Sequence, residues 1–168
     1  MKIRNLLYCV AFMALSININ AQKFGHLNSG NLLEKIPEVK SADEQLKTYQ
    51  EGLMSKGQTM VEAFETKYKA YAAEAQGGTL SRLEMQTKEQ ALQKDQQEIQ
   101  EYEKKIQIDV MKKREELLQP ILMKVDKAIK EVGKENGYTF IFDTSLGAML
   151  YAPDTEDVEP LVLSKLNL

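Results

Sequence analysis

The sequence predicts an α+β fold: a long antiparallel α-helical hairpin attached to a small β-strand body. Three observations predict it. Residues 38 to 133 fold back about Gly77-Gly78 so that apolar residues meet: Leu46 beside Val110, Tyr49 beside Ile106, Leu53 beside Tyr102, Phe64 beside Ala91 and Ala72 beside Leu83. Strand-like segments stand at the two ends of the chain and meet at one end of that hairpin. Charged residues make up 28% of the chain and aromatics 7%, with no tryptophan, a poor recipe for one compact core. A lone hairpin has too little interior for an ordinary globule. The chain must therefore assemble with copies of itself or wrap around something else.

Residues 1–21 read as a secretory signal peptide, because Lys2 and Arg4 precede the apolar run Leu6 to Ile17 and the small residue Ala21 closes the segment. The run is shorter than the roughly 20 residues needed to span a bilayer. A mature chain would then begin near Gln22. Losing Lys2 and Arg4 takes the formal net charge from -3 to -5, and losing Cys9 removes the only cysteine. A disulfide framework and thiolate metal sites are thereby excluded, in a compartment that would permit disulfides.

The elements follow in order. Lys23 to Asn28 alternates roughly in polarity and reads as a short strand, closed by Ser29-Gly30-Asn31. Helical spacing starts at Leu32, Leu33 and Ile36. Pro37 opens a new helix, where its missing N–H costs nothing. Positions 39, 42, 46, 49 and 53 alternate by three and four, the mark of a narrow seam between two helices. This arm is expected over about Glu38 to Ala75. Gly77-Gly78-Thr79 turns the chain, with Thr79 or Ser81 placed to cap the next helix. The second arm runs to about Val132, on a seam through Leu80, Leu83, Ala91, Ile99, Tyr102, Ile106, Val110, Leu117, Ile121 and Val125. At 1.5 Å per residue, about 55 residues of helix extend roughly 80 Å.

Two irregularities stand out. Pro120 should kink a straight helix at a cost of roughly 3 kcal/mol, and the pairing puts it almost level with Pro37. Gly57 falls opposite Glu98 and Met60 opposite Asp95, a polar interruption that predicts a flexible mid-arm hinge. Beyond Asn136-Gly137, Tyr138 to Phe142 is a strand. Asp143 to Gly147 is a turn, Ala148 to Ala152 the returning strand of a β-hairpin, and an acidic helix with Val158, Leu161, Val162 and Leu166 closes the chain. The expected organisation is a body of residues 22–36 and 134–168, and an arm of residues 37–133 with its tip at 76–79.

No constellation suggests catalysis. His26 is the one histidine and sits within a strand; Asp143 reads as a turn former with no histidine, cysteine or second carboxylate grouped with it. Gly133-Lys134 lacks the glycine-rich run of a phosphate loop. No cofactor and no metal are expected. Between Arg82 and Glu131, 11 basic and 11 acidic residues interleave, a solvated face without the sustained basic stripe that nucleic acid requires. What remains is apolar material outside the seam. Met54, Met60, Phe64, Tyr68, Tyr71 and Met85 are the candidates for contact with a partner polypeptide, methionine and tyrosine being side chains that adapt to varied surfaces.

Several segments, taken in this order around a Gly-Gly-tipped hairpin, resemble the Skp/OmpH family of periplasmic chaperones for outer-membrane proteins. They are F-G-H-L-N-S (24 to 29), I-P-E-V-K (36 to 40), E-N-G-Y-T-F-I-F-D (135 to 143), the stretch around Leu150-Tyr151, and D-V-E-P-L-V-L-S-K-L (157 to 166). The resemblance covers nearly all of the mature chain. It implies a homotrimer in which the strands of three chains build a trimerisation body and three helical arms enclose a cavity. That assembly would complete a core that Phe24, Leu27, Phe140, Phe142, Leu150 and Tyr151 cannot complete alone. It also implies a periplasmic holdase that keeps unfolded outer-membrane proteins from aggregating, without ATP. Well-known members carry positive arm tips, whereas here Glu74 and Glu84 offset Lys67, Lys69 and Arg82. The partners expected are thus unfolded outer-membrane proteins and copies of the chain, with weak membrane-surface contact at most and no nucleic acid. A structural coiled-coil spacer or adaptor of the cell envelope is the competing reading.

Overall fold

The structure, a computed structural model, describes residues 22–168; the expected signal peptide lies outside the described residues. Strand β1 (Lys23–Leu27) leads into helix α1 (Ser29–Glu34), then helix α2 (Pro37–Gln76) and helix α3 (Arg82–Glu135). Strand β2 (Tyr138–Asp143), a single 3-10 turn (Asp154–Glu156) and helix α4 (Glu159–Lys165) complete the chain. A long antiparallel helical hairpin stands on a small β-containing body, the α+β architecture that the sequence predicts.

Local chemistry accounts for the helix boundaries. Pro37 takes the first turn of α2. The turn at the far end spans Gly77 to Ser81, with Gly78 in the left-handed region at φ 68°. Ser81 rather than Thr79 caps α3, in a reciprocal capping box: Glu84 N–H donates to Ser81 Oγ at 3.3 Å and Ser81 N–H to Glu84 Oε2 at 2.8 Å. Thr79 turns back instead and donates to the Glu74 carbonyl at 3.1 Å.

The longer turn corrects the pairing near the tip. At mid-arm the Tyr102 hydroxyl donates to the Leu53 carbonyl at 3.2 Å, in the register that the sequence predicts. Toward the tip, Lys67 meets Asp95 at 2.6 Å, the Tyr71 hydroxyl donates to Glu89 at 2.5 Å, and Glu74 pairs with Lys88. These partners lie five to seven residues beyond those that folding about Gly77-Gly78 gives. Leu83 is consequently 74% exposed and Ala91 is exposed too, while Met85 and Leu92 take the half-buried positions. Gly57 faces Tyr102 and Ile106 rather than Glu98. Met60 still shares a crevice with Asp95 and Glu98, the polar part of the predicted mid-arm opposition, while α2 runs as one helix through residues 52 to 60. Pro120 lies inside a continuous α3. Glu38 pairs with Lys124 at 2.7 Å, so Pro120 stands about one helical turn nearer the tip than Pro37.

At the base, the two strands pair in parallel, with Phe24 opposite Phe140 and His26 opposite Phe142. Parallel strands need a long crossover, and the whole arm is that crossover. The β-hairpin expected over Tyr138 to Ala152 does not form, and Ala148–Ala152 is not a strand. Hydrogen bonds at the end of β2 explain the difference. The Asp143 carboxylate accepts from Ser29 N–H at 3.1 Å, Ser29 Oγ at 2.6 Å and Ser145 N–H at 2.9 Å, and Thr144 N–H donates to the Leu27 carbonyl at 2.9 Å. These bonds turn the chain toward β1. It then crosses to the other edge of β1, where Val158 N–H donates to the His26 carbonyl at 2.8 Å.

Beneath this sheet lies the core. Leu27, Leu32, Ile36, Val125, Ala128, Val132, Val158, Val162 and Leu166 are buried together, with Ile121 and Ile141 packed against them. Gly25 is required at its place: a Cβ there would stand 2.7 Å from Val158 Cγ1 and 2.9 Å from the Tyr138 ring.

Candidate functional site

The side chains that could carry chemistry are occupied in holding the body together. His26 Nε2 lies 3.0 Å from the Pro153 carbonyl, tying β1 to the segment that returns along its edge. Burial pushes the Asp143 carboxyl up, but the hydrogen bonds from Ser29 and Ser145 outweigh it and hold the pKa at about 2. An acid so depressed is a permanent acceptor and no proton donor near neutrality. Glu159, the one buried acid of the body, pairs with Lys35.

Apolar surface is what the fold offers instead, in two regions. The first covers the outer face of the two-stranded sheet. Phe24 and Phe140 stack with ring centroids 6.1 Å apart and planes 8° from parallel, and Phe142 lies 6.2 Å from Phe24 and 6.1 Å from Phe140. Each ring is roughly half exposed. Phe24, Phe142, Met149 and Tyr151 border a groove of about 300 Å³, with Tyr151 84% exposed, and Leu150, next in the chain, is 97% exposed. Leu27 does not belong to this face. It is 2% exposed, in the chain's own core. Successive side chains of a strand alternate between faces, so Leu27, three positions after Phe24, must point the other way.

The second region is the arm. Among the six residues singled out there, Met54 and Tyr68 are 59% and 55% exposed. Met60, Phe64, Tyr71 and Met85 are half-buried where the helices meet; Met60 and Phe64 line a crevice with Asp95 and Ile99, and Tyr71 shares another with Leu92. Their first task is to pack the hairpin. Hydrogen bonding to Glu89 raises the Tyr71 hydroxyl pKa and keeps the phenol neutral. Ile108, Met111, Leu122 and Met123 on α3 lie outside the predicted seam and are 66%, 72%, 47% and 66% exposed. Their signal was present: 108, 111, 118 and 122 follow a heptad-like spacing out of phase with the seam.

Known proteins place this arrangement. The family model described as outer membrane protein (OmpH-like) matches residues 23–166. The chain is 25% identical over 174 aligned positions to the chaperone protein Skp of Yersinia enterocolitica, covering 92% of each chain. Its fold is similar to the crystal structure of an OmpH-like outer membrane chaperone from Caulobacter crescentus CB15, with a TM-score of 0.75 at 17% identity, over 87% of this chain and 84% of that one.

Proposed function

This chain belongs to the OmpH-like family, and from that membership we propose that it is an ATP-independent holdase of the periplasm, reached through a cleaved signal peptide, that keeps unfolded outer-membrane proteins from aggregating. Residues 22–36 and 134–168 form its assembling body and residues 37–133 its arm. The exposed Phe24, Phe140 and Phe142 cluster is the observation that carries the reading. A contiguous aromatic face on a body this small marks an interface. Its natural occupants are two further copies, with Leu150 and Tyr151 joining the same surface. Three arms then stand around a common space.

Within that space a client is held by many weak apolar contacts, each replaceable. Met54 and Tyr68 make such contacts directly, and Met60, Phe64, Tyr71 and Met85 support them from the seam. No nucleotide is needed for release, because folding into a membrane buries client surface that the arms cover only in part. The test is the mass of the processed chain in solution, alone and with a urea-unfolded outer-membrane barrel, together with light scattering as the barrel is diluted from urea. A mass of three chains and suppressed scattering are expected. A single-chain mass throughout, or scattering equal to that of the barrel alone, would reject the reading.

A further inference from the structure

Helix α3 ends on Asn136-Gly137, the one Asn-Gly pair in the sequence, and both residues are exposed. An asparagine followed by glycine can lose its side-chain amide spontaneously, since no side chain on the glycine hinders attack by its nitrogen on the asparagine Cγ. The fold holds these atoms apart. Asn136 Nδ2 donates to the Val132 carbonyl at 2.9 Å and the Asn136 N–H donates to the same oxygen at 3.1 Å, so the side chain lies back along the helix. With ψ at 4°, the Gly137 nitrogen nearly eclipses the Asn136 nitrogen and is turned away from Cβ, whereas the five-membered ring of the reaction needs it on the Cβ side. Gly137, at φ 70°, closes the helix and donates its N–H to the Lys134 carbonyl at 3.4 Å. Lys23 Nζ donates to the Asn136 carbonyl at 3.3 Å, and Lys23 pairs with Tyr138 in the sheet, so this cap is tied to the body. Val132 itself is 2% exposed, in the core.

We propose that Asn136 is a latent deamidation site, guarded while the body is folded, released when the end of α3 opens, and damaging to the fold once used. When Asn136 leaves its cap, the Gly137 nitrogen gives its proton to solvent and bonds to Cγ, the Cγ–Nδ2 bond breaks, and ammonia leaves with a proton taken from water. Water then opens the cyclic imide at either carbonyl, giving aspartate or isoaspartate; no electrons change hands. Neither product can restore the cap. A carboxylate has no proton to donate to the Val132 carbonyl, and its negative charge meets the unpaired carbonyls of a helix C-terminus. Lys23 offsets some of that charge but supplies no replacement for the bond. Isoaspartate also adds a backbone carbon between α3 and β2, which displaces Tyr138 from its register with Lys23. A transient opening of the body thus becomes a permanent mark on the chain.

Peptide mapping by mass spectrometry tests it, on the processed chain kept in mildly alkaline buffer with and without denaturing urea. Conversion of Asn136 to aspartate and isoaspartate, which separate chromatographically, should be slower in the folded chain by about tenfold or more, the equivalent of a local opening that costs at least ~1.4 kcal/mol. Leu27→Ala, which weakens the core, should convert faster than the wild type in buffer. Ser81→Ala, which loosens the far tip of the arm, should convert at the wild-type rate. Asn136→Asp, made directly, should have a lower thermal midpoint than the wild type. Equal rates with and without urea overturn the proposal, as does the absence of conversion at Asn136 in urea. So does a rate in buffer that Leu27→Ala leaves unchanged, since the body would then provide no guard. An Asn136→Asp chain as stable as the wild type overturns it too, because the modification would leave the fold undamaged.

Discussion

Gly57 on α2 lies against the ring of Tyr102 on α3, so that a Cβ added to the glycine would stand 3.5 Å from Tyr102 Cε1 and 3.7 Å from Ile106 Cδ1. Those are ordinary van der Waals distances. The tyrosine is held there by its hydroxyl, which donates to the Leu53 carbonyl one turn away. Gly57 therefore sits in an apolar seam, in a helix, with room for a methyl group.

Gly57→Ala should accordingly stabilise the arm by about 1 kcal/mol, since alanine is the better helix former and loses less backbone freedom on folding. Gly52→Ala, with nothing within 4 Å of its added Cβ, should do the same. Urea unfolding followed by circular dichroism reads the effect. A loss of stability in Gly57→Ala would show that the helices approach more closely than described.

Phe140 and Leu27 make opposite predictions. Phe140→Ser alters an exposed ring, so the chain should keep its helix content while the mass in solution falls toward that of one chain. Leu27→Ala opens a cavity in the chain's own core, at a cost of about 2–5 kcal/mol. Its thermal midpoint should fall at every protein concentration. If Phe140→Ser kept the full mass, the aromatic face would not be the contact between copies.

Asp143 should make the body acid-sensitive in a defined window. Its pKa is about 2 in the folded chain against an ordinary 3.8, a depression that stabilises the folded state fully above pH 3.8 and is lost as pH falls through 2. Because the carboxylate is partly exposed, screening limits the contribution to about 1 kcal/mol. Asp143→Asn should thus be less stable than the wild type at pH 7, with the gap closing below pH 3. A gap that stays constant from pH 7 to pH 2 would assign the loss to shape rather than charge.

Ser81→Ala removes the acceptor of the capping box and should cost about 1 kcal/mol, felt at the tip. Hydrogen exchange should quicken over the first turn of α3 and remain unchanged at Val125 and Val132. Uniform loss of protection along the arm would mean that the tip nucleates the whole hairpin.

Much of this molecule was legible from composition and spacing alone. The three-four alternation from Val39 to Leu53, Pro37 at a helix start, the glycine pair at the tip and the aromatic run 138 to 142 are all local signals, and each became the element that it predicts. Local signals cannot decide pairing. A five-residue turn in place of two glycines moved the register near the tip, exposed Leu83 and turned Met60, Phe64, Tyr71 and Met85 into half-buried packing. The partner of β2 was equally hidden, because it lies 115 residues away in the register Lys23 with Tyr138, and hydrogen bonds from Ser29 to Asp143 steer the chain to it. Residue type and periodicity follow from the chain itself, whereas which face meets which depends on closing long loops. That is a free-energy balance among distant groups, and it appears only once the whole chain is folded.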